Sequence, residues 1–306
     1  MRTQAGWERS ITKETSGRCD GRVTHLGDRI KIEFDSGAKP QLESFLGLVA
    51  RASRSLLMLD FDGTLAPFRK DRKKVAPYPG VTSALQNILD AGKTRVVIIS
   101  GRDVTETVPL LSIKPHPEVW GLHGLQRLKA DGSVEHWELH ESTVQGLAAA
   151  ENWLRSQNLL DAVEFKSGSI AVHWRDLAES EAQTMRDRVI RGWAEIAQRY
   201  DLGVMDFDGG VEIRSPKINK GTAVRTILSE MDPDVPAAYL GDDNTDEDAF
   251  EAIKGRGLSI LARPESRPTA AQLWLRPPEE LLALLAAWLE ACREGATVEA
   301  NDSTED

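Results

Sequence analysis

The chain has 306 residues, which at roughly 150 residues per domain allows about two domains. Its 48 Asp and Glu outnumber 38 Lys and Arg, for a formal net charge of −10, so the dense basic footprint of a sequence-independent nucleic-acid binder is missing. Two cysteines, Cys19 and Cys292, exclude a disulfide framework, and the longest apolar runs, such as Leu281 to Leu289, fall short of the about 20 residues that cross a membrane. The polar start MRTQAGWERSITKE lacks the apolar core of a signal peptide. These features predict a cytoplasmic protein without nucleic-acid or membrane partners, and the lack of a coiled-coil repeat favours a monomer.

Residues 1–52 read as a polar extension, with RIKIEF (Arg29 to Phe34) as a short strand, and then as an amphipathic helix from Pro40. SLLMLDFDG, from Ser55 to Gly63, has the continuous apolar half of a central strand covered on both faces. A helix over Pro79 to Gly92, a strand over Thr94 to Arg102, a helix from Asp103 and a strand at Val119 to Gly124 complete a first half, 53–124, that predicts a parallel α/β sheet. The texture then changes. LQRLKADGSVEHWEL carries a hairpin turn at Asp131-Gly132, AVEFKSGSIAVHWRD carries another at Ser167-Gly168, and long helices lie between and after them. Residues 125–215 are therefore expected to form an inserted α+β module with an antiparallel sheet. The doubly wound pattern resumes over 216–293, and 294–306, with five acidic and no basic residues, reads as a frayed tail.

Asp60 and Asp62 stand two apart at the end of the first strand. If the strand geometry persists, both carboxylates point the same way, and buried carboxylates require a cation or hydrogen bonds. A turn or helix cap explains the same residues equally well. GDDNTDED supplies five carboxylates in seven positions from Asp242, again directly after a strand, and such packing suits a hard divalent cation. A solvated capping loop is the ordinary reading of that segment. Ser100, Gly101 and Arg102 end another strand before a helix, where a hydroxyl and free N–H groups hold an oxyanion. Lys220 opens the helix after the inserted module and can reach the same anion. Each element alone has a mundane explanation; their conjunction on one α/β scaffold points to a cation and an anion held at one sheet edge.

The ordered set DFDGT, SGR, Lys220 and GDDNTDEDAF resembles the haloacid dehalogenase superfamily of aspartate-nucleophile phosphatases, across about residues 53–293. LDFDGTLAP, GLHG, VHWR, EIR before NKG, and GDDNTDEDAF resemble, more narrowly, the trehalose-6-phosphate phosphatases. The resemblance implies a Rossmann-like core with an inserted cap, and Mg²⁺-dependent hydrolysis of trehalose 6-phosphate to trehalose through an aspartyl-phosphate. Asp60 would be the nucleophile and Asp62 the general acid and base. Asp60, the Asp62 carbonyl and Asp242 would hold Mg²⁺, with Asp243 and Asp246 as further acidic positions of the metal site. Ser100, Gly101, Gly63, Thr64 and Lys220 would hold the phosphoryl group. The cap would choose the sugar, with Glu164, Lys166, His173, Arg175, Glu212 and Arg214 as candidates and His123 of GLHG at the hinge. A small-molecule sugar phosphate is thus the expected partner, with glucosylglycerol phosphate or mannosyl-3-phosphoglycerate as alternatives. The complete set Asp60, Asp62, Ser100, Lys220 and Asp242 speaks against a non-catalytic sugar-phosphate binder.

Overall fold

The computed structural model describes residues 39–69, 74–175, 177–207 and 209–302. The strand expected at Arg29 to Phe34 falls outside them. Helix α1 (Lys39–Arg51) leads into β1 (Ser55–Leu59), and α2 (Val81–Asp90), β2 (Thr94–Ile99), α3 (Val104–Leu111) and β3 (Glu118–Gly121) follow in the expected alternation. Next come β4 (Gln126–Leu128), β5 (Val134–His136), α4 (Glu141–Ser156), β6 (Val163–Lys166), β7 (Ser169–His173), α5 (Glu179–Tyr200), β8 (Gly203–Phe207) and β9 (Gly210–Arg214). The chain then returns through α6 (Lys220–Ser229), β10 (Ala237–Gly241), α7 (Glu247–Ile253), β11 (Leu258–Ala262), β12 (Leu273–Leu275) and α8 (Glu279–Asp302).

The first sheet runs β12-β11-β10-β1-β2-β3-β4-β5, and every pair from β12 to β3 is parallel. All five residues of β1 are buried, as a strand covered on both faces requires. One face packs Leu57 and Leu59 against Leu42 of α1, Leu85 of α2 and Leu285 and Trp288 of α8. The other packs Leu56 and Met58 against Val224 and Ile227 of α6 and Phe250 of α7. None of the described helices is long and apolar enough to cross a membrane.

Two expectations need correction. The hairpin β4–β5, expected to open the inserted module, instead extends the core sheet as its antiparallel edge. Alternation identifies a hairpin but not the sheet it joins. Here the tight turn at Leu122–Gly124, with His123 at φ 57, folds β4 directly back on β3, and the Trp137 ring stacks on Trp120 at 5.0 Å. The tail expected to fray from residue 294 instead continues α8 to Asp302.

The inserted module is a separate sheet, β6-β7-β9-β8, antiparallel throughout. Its period-two alternation sorts the residues by face. Ile170, Val172, Val211 and Ile213 meet Leu154 of α4 and Val189 and Trp193 of α5 in a core of their own. The register puts Glu164, Lys166, His173, Phe207, Glu212 and Arg214 on the opposite face.

Candidate active site

Strand register builds the site. Leu59 pairs with Leu240 on one side and Ile98 on the other, so Asp60, Ser100 and Asp242 follow the carboxyl ends of three neighbouring strands. Open α/β sheets bind ligands at that edge. The Asp60 N–H donates to the Leu240 carbonyl at 2.9 Å, which fixes the first residue beyond β1. Gly63 then turns the chain at φ +89, and a Cβ there would sit 2.0 Å from Asp242 Oδ2, so only glycine lets the two loops meet.

Lys220 arrives from the start of α6. Asn219 caps that helix: its Oδ1 accepts the Thr222 N–H at 2.8 Å, and its own N–H donates to Thr222 Oγ1 at 3.1 Å. Lys220 Nζ donates to Asp60 Oδ1 at 2.6 Å and to Asp246 Oδ1 at 2.8 Å. Asp246 also accepts the Tyr239 hydroxyl on Oδ1, and on Oδ2 the N–H groups of Asp242 and Asp243 at 3.1 and 3.0 Å. Both Asp246 oxygens are thereby committed to anchoring Lys220 and the acidic loop. Asp243 is half-buried and accepts the Asn244 N–H on Oδ1 at 2.7 Å.

One oxygen each from Asp60, Asp242 and Asp246 lies within 4.8 Å of the others. Asp60 Oδ2 and Asp242 Oδ1 are buried and accept no hydrogen bond from the described residues. Burial pushes the Asp60 carboxyl up to about 7, with Lys220 opposing and Asp246 adding to the shift. Burial, then the neighbouring Asp60, also drives Asp242 well up. For Lys220 burial disfavours the charge, but Asp246 and Asp60 outweigh it and hold the ammonium above its usual range. Clustered carboxylates that keep two unpartnered oxygens, and whose ionised forms burial disfavours, are a donor set that fits a hard divalent cation.

The Asp62 carboxylate does not join this cluster. β1 ends at Leu59, so strand alternation stops short of Asp62, and its Oδ2 and Oδ1 accept Arg102 Nε at 2.6 Å and Nη2 at 2.7 Å. Ser100 is buried, and its hydroxyl oxygen accepts the Arg102 N–H at 3.1 Å. Thr64 is buried with no partner for its hydroxyl among the described residues. At Gly101 a Cβ would stand 2.7 Å from the His123 ring, so the backbone approaches the hinge histidine as no larger residue permits.

A cavity of about 530 Å³ separates this floor from the inserted module, and Asp60, Lys220 and Asp242 face His173, Trp174 and Phe207 across it. That volume suits a ligand of one or two sugar rings. Lys166 and Glu212 line it and are paired at 2.9 Å; Glu212 also accepts Ser169 Oγ at 2.6 Å and stands 3.2 Å from His123 Nε2. His173 Nε2 meets Glu164 at 2.9 Å. Arg175 lines the cavity with its guanidinium 4.6 Å over the Phe68 ring.

The sequence model of the trehalose-phosphatase family matches residues 58–278. The chain belongs to the trehalose-phosphatase family. A trehalose-phosphate phosphatase of Mycobacterium marinum is 33% identical over 249 residues, covering 74% of this chain and 59% of that protein. The Mycobacterium tuberculosis relative is 32% identical over 290 residues, covering 85% and 70%. The chain thus spans 59% to 62% of the length of the M. marinum and Mycobacterium leprae relatives. Among solved structures, the C-terminal domain of a Candida albicans trehalose-6-phosphate phosphatase superposes with a TM-score of 0.70 at 20% identity, covering 81% of this chain and 96% of that one. The shared fold is a haloacid dehalogenase core with an inserted cap.

Within this trehalose-phosphatase family member, two of the residues expected to contact the sugar do not line the main cavity. Arg214 is buried and donates to the Ile218 carbonyl and to Met205 Sδ, outside the cavity lining. Glu164 lines a smaller polar cleft beside Arg102 rather than the main cavity. Sequence reasoning overlooked Tyr239, Phe68 and Phe207. Phe207 could have been found, because it alternates with Met205 on a strand paired to the one that carries Glu212.

His123 carries a measurable consequence. Burial, only partly offset by Glu212, lowers its pKa to about 4 from 6.5. The unfolded chain therefore binds a proton below about pH 6.5 that the folded chain refuses, and stability falls as pH drops through that window. Wild type is expected to lose about 2 kcal/mol relative to His123→Gln between pH 8 and pH 5. Urea denaturation at both pH values reads the difference, and parallel losses in the two proteins would show that His123 does not titrate this way.

Proposed function

We propose that the protein is a Mg²⁺-dependent phosphomonoester hydrolase that converts trehalose 6-phosphate to trehalose and inorganic phosphate. The observation that carries this reading is the cluster of Asp60, Asp242 and Asp246 carboxylates, in which Asp60 Oδ2 and Asp242 Oδ1 have no partner among the described residues and Lys220 bonds Asp60 Oδ1, beneath a cavity roofed by the cap. Asp60, the backbone carbonyl of Asp62 and Asp242 would hold Mg²⁺, with Asp243 reaching it through water. Bound there, the ion would screen the repulsion between carboxylate and phosphate and would stabilise charge on the transferring group.

The chain's own residues supply the rest. An Asp60 oxygen attacks phosphorus as the bond to the sugar oxygen breaks, and Asp62 donates a proton to that leaving oxygen. Asp62 then takes a proton from the water that attacks the aspartyl-phosphate, and Asp60 is released with inorganic phosphate. Lys220 places a fixed positive charge beside Asp60 throughout, preorganised by Asp246. The Ser100 hydroxyl, the Gly101 N–H and the Gly63–Thr64 turn offer donors to the phosphoryl oxygens. On the cap, Lys166, His173 and Glu212 supply polar contacts for sugar hydroxyls, and Trp174 and Phe207 an apolar face for a pyranose ring.

Phosphate release with Mg²⁺ or EDTA, across trehalose 6-phosphate, glucose 6-phosphate, glucosylglycerol phosphate and mannosyl-3-phosphoglycerate, tests the assignment. The expected result is Mg²⁺-dependent turnover with trehalose 6-phosphate preferred by about a hundredfold in kcat/KM. Preference for another member would keep the chemistry and overturn the substrate.

A further inference from the structure

The cavity above Asp60 carries apolar side chains that a disaccharide does not use. Phe68, Val163, Trp174, Leu177, Met185 and Phe207 all line it. Val163, Trp174 and Met185 are partly buried and also pack against the hydrophobic core of the cap. Leu177 is held beside Trp174, whose carbonyl accepts the Leu177 N–H at 3.0 Å, and its side chain stays 39% exposed. Phe68 reaches the same cavity from the chain that follows β1 and is 38% exposed, with the Arg175 guanidinium over its ring.

Trp174 and Phe207 can each cover the less polar face of a pyranose ring. Val163, Leu177 and Met185 have no such use, because a sugar hydroxyl set against an aliphatic side chain gives up water and gains no hydrogen bond. Exposed apolar patches in a binding groove mark a ligand with an apolar surface of its own. The exposure of Phe68 and Leu177 places them where the cavity opens to solvent, one on the core and one on the cap. A hexose 6-phosphate seated with its phosphate at Asp60 carries its anomeric substituent away from the sheet edge, toward that opening.

We infer that these side chains form an apolar subsite, and that the protein hydrolyses a second class of substrate: sugar phosphates with a short aliphatic tail on the side of the sugar away from the phosphate. The inference rests on the reading of the site as a sugar-phosphate phosphatase. Ester and water give the free sugar hydroxyl and inorganic phosphate by the route already described, so the tail contributes to binding and leaves the chemistry unchanged.

The test compares hexyl with methyl α-D-glucopyranoside 6-phosphate, which share the leaving oxygen and differ only in the tail. Calorimetric titration of Asp60→Asn with Mg²⁺ present reads binding without turnover, and kcat/KM on the wild type reads catalysis. The hexyl compound should bind about thirtyfold more tightly, the factor given by burying about half of its extra methylene groups, and with a more negative heat-capacity change. The wild type should show the same preference in kcat/KM, carried by KM. Leu177→Asn and Phe68→Asn should each cut the preference about threefold and together about tenfold, whereas Phe68→Leu, which keeps the apolar surface, should hold it within about twofold. Both side chains are more than a third exposed, so these variants should keep the wild-type urea midpoint. Equal affinity for the two compounds would overturn the inference. So would a preference that survives Leu177→Asn and Phe68→Asn together, because the tail would then bind elsewhere. Hydrolysis of trehalose 6-phosphate with no preference for the hexyl compound would strike the inference alone. A binding preference with no hydrolysis of any sugar phosphate would establish the subsite and refute the phosphatase reading instead.

Discussion

Asp60→Asn is expected to abolish turnover, by at least about a thousandfold in kcat, while leaving the fold in place. The substitution is isosteric at a site 3% exposed, and the amide oxygen can still accept from Lys220. What it removes is the oxygen that the proposed mechanism uses to attack phosphorus and one of the unpartnered acceptors in the acidic cluster. Losing only binding energy would raise KM and spare kcat; losing the nucleophile removes the route itself. Stability should change by no more than about 2 kcal/mol, the scale of one altered buried hydrogen bond. Phosphate release and urea denaturation on one preparation read both quantities, and turnover near wild type in a folded protein would refute the assignment.

Lys220→Ala is expected to damage both activity and stability. Lys220 is the direct cationic partner of Asp60 and Asp246, at 2.6 and 2.8 Å, and all three side chains are at most 4% exposed. Removing one partner from a buried ion pair leaves an uncompensated charge, which costs about 3–5 kcal/mol. The variant should therefore unfold at markedly lower urea than wild type at pH 8, and its kcat should fall at least about a hundredfold. Asp60→Asn spares one carboxylate partner of Lys220 and should be the milder of the two in stability. An unchanged unfolding midpoint in Lys220→Ala would show that the cluster does not depend on the ammonium.

The core site was legible because its residues are local to strand ends. Continuous apolar runs placed Asp60, Ser100 and Asp242 at carboxyl ends, and parallel strands in register bring such ends together without further information. Lys220 was legible because it opens a helix, whose cap Asn219 fixes its direction. Asp62 shows where the pattern stops. Its side chain lies past the last residue of β1, so alternation no longer dictates its direction, and a guanidinium from another strand end takes it instead.

Long-range pairing was the part that local pattern could not supply. The β4–β5 hairpin reads the same whether it joins the core or the cap, and only its packing on β3 decides. The cap face was half legible: period two places Glu164, Lys166, Glu212 and Arg214 together, but not which of them reach the cavity. Arg214 turns to a backbone carbonyl in the return linker, a partner distant from any motif. Tyr239 was hidden because a tyrosine in an apolar strand looks like core until Asp246 appears beneath it.

The central claim is that phosphate leaves the sugar by way of Asp60. Configuration at phosphorus tests it most directly, using the phosphorothioate analogue of trehalose 6-phosphate made chiral with two oxygen isotopes, hydrolysed in water carrying the third, and analysing the inorganic thiophosphate product. Each in-line displacement inverts phosphorus, so attack by Asp60 followed by attack by water predicts net retention. Net inversion would mean that water attacks the phosphate ester directly, and would contradict the role assigned to Asp60.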